Sequence, residues 1–83
     1  MSQGPAHIFI KKGDALREVD AALARCAERG LDRAAAGFNK YLFATQADQT
    51  IVFLASRDAP LAVELRALPG WSEPGDQPLR GSA

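Results

Sequence analysis

The sequence predicts an α+β fold: a small two-layer β-α-β-β-α domain. In it a three-stranded mixed sheet carries one main helix packed on one face, and the last element is either a helix or a fourth strand. Three observations point there. Short runs rich in β-branched and aromatic residues occur near positions 8, 42 and 52. A single long segment with helical spacing lies between the first run and the second. The chain has 83 residues, which is enough for one domain only.

The first run is HIFIKK. Ile8 and Ile10 fall on one side of a strand and Phe9 on the other, which suits a central strand covered on both faces. Residues 1–6 before it read as a flexible lead with Gly4 and Pro5.

GDALREVDAALARCAERGL is the clearest helix. Leu16, Val19, Leu23 and Cys26 make one apolar stripe, with alanines on its flanks. Asp14 is suited to cap the free amides of the first turn. Gly30 stands where a left-handed residue would stop the helix, and Leu31 could fold back on Cys26 in a Schellman motif.

After the connection LDRAAAG comes GFNKYLFATQADQTIVFLAS, two strands joined by a polar turn. Pairing Gln46 with Ile51 leaves ADQT as the loop. That register puts Tyr41, Phe43, Thr45, Val52, Leu54 and Ser56 on one face. Phe38, Lys40, Leu42, Ala44, Ile51, Phe53, Ala55 and Arg57 fall on the other. A one-residue slip would re-sort every pair, but both faces stay apolar in any register.

DAPLAVELRALPGW supports two readings over residues 59–68. As a helix, Asp58 caps, Pro60 opens the first turn, Leu61, Leu65 and Leu68 form a stripe, and Pro69-Gly70 ends it. As a strand, Leu61, Val63 and Leu65 alternate with Ala62, Glu64 and Arg66. The helix is preferred, although it points Val63 away from the stripe. The single domain then covers residues 7–71, and the Pro- and Gly-rich residues 72–83 read as a disordered tail.

A crossover helix between the first two strands makes them parallel, and the hairpin makes the third antiparallel to the second. The order β-α-β-β-α resembles a ferredoxin-like arrangement that lacks its last strand, an architecture shared by many functions. One helix covers one sheet face. The other face must be closed by the C-terminal segment with Trp71, by a second copy, or by a foreign partner. A homodimer is the preferred reading, because a chain this short has a thin core and an exposed apolar face invites association.

Composition narrows the function classes. The formal net charge is zero, which argues against sequence-independent nucleic-acid binding. One cysteine and one histidine give neither an internal disulfide nor a zinc pattern, so no metal or cofactor is expected. No run of 18 apolar residues is present, and the N-terminus lacks a signal-peptide pattern. A soluble, cytoplasmic protein without membrane contact is the expectation.

No catalytic residue is assigned. His7 reads as a strand-end surface histidine, since no orienting carboxylate lies near it in sequence. Cys26 sits in the apolar stripe near a helix C-terminus, where the dipole and burial both oppose a thiolate. The expected function is that of a non-enzymatic protein–protein interaction, regulatory or inhibitor protein. It would act through an apolar sheet face or edge, with Tyr41, Phe43, Leu54 and Trp71 as interface candidates. One alternative is a small-ligand or anion-binding module using Lys40 and Arg57. Another is weak single-stranded nucleic-acid binding on the aromatic strands.

Overall fold

The computed structural model describes residues 7–74. The expected lead, residues 1–6, and residues 75–83 of the expected tail lie outside the described residues. The elements run β1 (His7–Lys12), α1 (Leu16–Glu28), β2 (Phe38–Ala44), β3 (Gln49–Leu54) and α2 (Pro60–Arg66). This is a small α+β domain, and the last element is the helix rather than a strand. Pro60 opens α2, and Val63 is 57% exposed, pointing away from the buried Leu61 and Leu65.

The sheet order is β1-β3-β2, and both pairings are antiparallel. The expected mixed sheet is therefore corrected. β1 and β2 do run in the same direction, as the crossover requires, but β3 inserts between them in a split arrangement. Consequently β3 is the central strand and β1 lies toward an edge.

The hairpin places Tyr41 opposite Val52 and Ala44 opposite Gln49, around a turn at Thr45–Asp48. Asp48 takes the left-handed conformation there, with φ 55°. The expected register paired Gln46 with Ile51, four positions out of step. Four is an even number, so most side chains keep the expected face. Phe38 is the exception. The ladder is irregular between Phe38 and Lys40, and the extra residue turns Phe38 to the side of Leu54.

Both helices lie on one sheet face and share a single core. Phe9, Val52 and Leu54 from the sheet pack with Val19, Leu23 and Cys26 of α1 and with Leu61 and Leu65 of α2. Arg25 and Arg29 clasp Glu64 at 2.8 and 3.3 Å and tie the helices together.

Local chemistry fixes the ends of α1. The amide of Leu31 donates to Cys26 O at 3.0 Å and that of Gly30 to Ala27 O at 2.9 Å, the Schellman pair read from the sequence, with Gly30 at φ +83°. The start is less local. Asp14 accepts from Leu16 N at 3.2 Å, but the stronger anchor is Thr50 of β3. Its buried hydroxyl accepts from Ala15 N and donates to Gly13 O, both at 2.7 Å.

The expected tail begins too early. Ser72 exchanges two backbone hydrogen bonds with Ile10 at 2.8 and 2.9 Å, antiparallel to β1, on the side away from β3. This is the place a fourth strand would take. In that register Pro74 would fall opposite Ile8, the next hydrogen-bonded position, and proline has no N–H to give.

Candidate interaction surface

Side chains alternate along strands, so the register sorts the two sheet faces. His7, Phe9, Tyr41, Phe43, Val52 and Leu54 share the face that carries the helices. Ile8, Ile10, Leu42, Ile51 and Phe53 share the opposite face. No helix among the described residues covers that second set. Ile8, Ile10, Ile51 and Phe53 are half-buried, and Leu42 is 39% exposed.

The residues expected at an interface are thus sorted differently. Leu54 is fully buried inside the chain and offers no surface. Tyr41 packs against the core, and its hydroxyl donates to Asp20 at 2.9 Å. That hydrogen bond, then burial and the charge of Asp20, hold the phenol above its ordinary pKa. Trp71 also packs on the core, and its indole N–H donates to Glu18 at 3.1 Å. Glu18 in turn receives Lys11 at 2.8 Å, and Lys11 also donates to Pro69 O. Phe43 is half-buried on the helix side, at the β2 edge. Both faces are apolar, as expected, but the face without a helix is the one that carries Leu42 rather than the one that carries Tyr41. The difference lies in leaving α2 unplaced, since it joins α1 on the Tyr41 side.

The two cations proposed for an anion are not opposite one another. Lys40 stands opposite Phe53, with its ammonium 5.2 Å from the ring centroid. Arg57 lies in the turn beyond β3, where its carbonyl accepts from Arg66 at 2.9 Å. The rings Tyr41 and Phe43, which would stack bases, face the helices.

His7 is the main surprise among polar groups. It is only 2% exposed, and its Nε2 lies 2.8 Å from Glu73 Oε1. A carboxylate only accepts, so Nε2 carries the proton in that contact. Glu73 also receives Arg66 at 2.7–3.1 Å. Hydrogen bonding by Arg66, helped by His7, holds the Glu73 carboxyl down at about 2. The orienting carboxylate missing near His7 in sequence is supplied 66 residues away. This trio fastens the last described residues to β1 and α2, and it leaves the imidazole no open side. Cys26 is buried, as the apolar stripe implied.

A groove of about 600 Å³ runs between α1 and β2, lined by Asp20, Leu23, Ala27, Leu31 and Tyr41 among others. Among the described residues, no group of three or more His, Cys, Asp or Glu side chains is placed to hold a metal ion. No helix there is long and apolar enough to cross a membrane. No family model, curated protein or solved structure matches the chain, so its function has to be argued from this geometry.

Proposed function

We propose that the protein is a small non-enzymatic interaction module that binds protein, a second copy or another chain, through the sheet face opposite its helices. One observation carries this reading. Ile8, Ile10, Leu42, Ile51 and Phe53 form a contiguous apolar surface across all three strands, while the complete core lies on the other side. A contiguous apolar patch on a small domain is a mark of an interaction site. Lys40 over Phe53 supplies a polar rim, the usual composition at the border of such a patch.

The test is a double variant, Ile51→Lys with Phe53→Lys. Both side chains point away from the helical core, so the fold should survive, as a cooperative melt would confirm. Wild type should associate with itself or retain a stoichiometric protein partner, and the variant should lose that association. Equal mass and equal partner retention in the two proteins would defeat the reading.

A further inference from the structure

The two edges of the sheet are not alike. At the β1 edge, Ser72 already occupies the backbone of Ile10, and Pro74 blocks the next position in register. The β2 edge has no such cover among the described residues. Its sequence FNKYLFA holds no proline; Lys40 and the irregularity between Phe38 and Lys40 protect the start of the strand, and Tyr41–Ala44 carry no such device.

Which backbone groups are open follows from alternation. Ile10 directs its N–H and C=O outward to Ser72, so its neighbour Phe9 bonds inward to Val52. Val52 therefore faces β1, and Ile51 and Phe53 face β2, where they meet Leu42 and Lys40. Leu42, Lys40 and Ala44 thus bond inward. Tyr41 and Phe43 point their backbone N–H and C=O into the open edge.

We infer that two copies of this chain pair through their β2 edges, antiparallel across a two-fold axis at Leu42, to make one six-stranded sheet. The inference rests on the reading of the sheet as an interaction surface, and it names the partner and the register. With the axis at Leu42, Tyr41 of one copy meets Phe43 of the other, and the two such pairs exchange four backbone hydrogen bonds. Leu42 meets Leu42 in the closely spaced non-hydrogen-bonded position. Lys40 meets Ala44, so no like charges stand opposite each other. Moving the axis to Tyr41 would set Lys40 against Leu42, and moving it to Phe43 would run the pairing into the turn at Thr45.

The groove between α1 and β2, lined by Tyr41, opens beside this edge on the helix side. The blocked β1 edge matters equally. A free β1 edge could pair with β2 of a third copy and grow a filament. With one open edge per chain, the contact is isologous and closes as a dimer. The two open apolar faces then join into one.

Light scattering on the full chain, over a hundredfold concentration range, should give twice the 8.9 kDa chain mass at the upper end. Phe43→Pro removes an outward N–H and spares the bonds to β3, so it should be folded and monomeric. Leu42→Lys, which sets ammonium against ammonium across the axis, should raise the dissociation constant at least tenfold; it keeps the test alive if the proline variant fails to fold. Leu42→Cys with diamide should give a covalent dimer on a non-reducing gel, since Cys26 is buried. Lys40→Cys should not, because its twin lies roughly 13 Å along the strand. Monomer mass throughout overturns the edge pairing. So does a dimer that survives both Phe43→Pro and Leu42→Lys and fails to cross-link at Leu42. If that dimer is lost only in Ile51→Lys/Phe53→Lys, the face reading stands while the edge falls. If the dimer is lost at Leu42 and Phe43 but indifferent to the face variant, with no other partner retained, the edge stands while the face falls.

Discussion

Gly37 offers a test of the fold in which two costs can be separated. It sits at φ +83°, where a β-carbon alone costs about 1–2 kcal/mol. A β-carbon placed on it would also meet the β-carbon of Ala59 far inside contact distance. Ala59 is buried at the start of α2, and the amide of Leu61 is bonded to Ala36 O at 3.0 Å, so the two segments cannot part cheaply. Overpacking of that kind costs about 1–3 kcal/mol. Gly37→Ala should therefore lose about 2–5 kcal/mol, a large share of the roughly 4–10 kcal/mol expected of a domain this size. In thermal unfolding that is a drop of roughly 10–30 °C. Gly30→Ala is the matched control. Its φ is also +83°, but nothing lies within 4 Å of the added carbon, so it should lose only the backbone share, about 1–2 kcal/mol. Ala59→Gly should restore the steric share in the double variant Gly37→Ala/Ala59→Gly, a coupling of about 1–3 kcal/mol in urea melts. If Gly37→Ala and Gly30→Ala fall equally, or if Ala59→Gly restores nothing, the close approach of these two segments is refuted.

Two further outcomes follow from polar groups. Thr50→Val keeps the shape of a buried side chain but strands Ala15 N–H and Gly13 C=O, so urea unfolding should show a loss of about 2–3 kcal/mol. A loss below half a kcal/mol, on the order of an ordinary surface change, would mean that water or a shifted loop replaces the hydroxyl. Glu73 ties stability to acid pH. Its carboxyl is held near 2 against 4.5 in the unfolded chain, first by Arg66. A depressed pKa means that the stabilisation is present above pH 4.5 and is lost as pH falls through about 2. The full shift corresponds to about 3 kcal/mol; with Glu73 a quarter exposed, solvent screening reduces this to about 1–2 kcal/mol. Glu73→Gln should be less stable than wild type by that amount near neutrality and equal to it near pH 2. A gap independent of pH would remove the carboxylate from the account.

The parts legible in the sequence are those whose physics is local. The stripe Leu16, Val19, Leu23 and Cys26 with Gly30 and Leu31 specifies α1 and its stop within sixteen residues, and the structure has both. The hairpin is legible as a hairpin, and its face sorting survives a four-position register error because strand periodicity is two. What cannot be read depends on distant pairing. Nothing near HIFIKK says that β3 rather than β2 lies beside it. Nothing near Ser72 says that its backbone will meet Ile10. Thr50 looks like a turn residue until the loop of Gly13 and Ala15 closes on it from 35 residues away. His7 looks solvent-exposed because Arg66 and Glu73, which fasten residues over it, follow it by some sixty positions.

The same distance in sequence explains why the Tyr41 face is expected to need an outside cover, which α2 supplies from within. Tyr41, Phe43 and Leu54 share one apolar face, and with α2 unplaced that face demands an outside cover. α2 and Trp71 supply cover from within, which leaves Ile8, Ile10, Leu42, Ile51 and Phe53 on the face with no helix among the described residues. A core that is complete on one side has no folding requirement for isoleucine, leucine and phenylalanine on the other, where lysine, glutamate and threonine would keep the sheet soluble and just as well paired. Residues of this kind are what the proposed binding role rests on. Their position sharpens the point. Leu42, the most exposed of them, lies on the strand whose outer backbone is open, while the opposite edge is closed by Ser72 and the Arg66–Glu73–His7 clasp. Face and edge therefore meet at one residue. Charge placed at Leu42 challenges both, whereas charge at Phe53 challenges only the face and a proline at Phe43 only the edge.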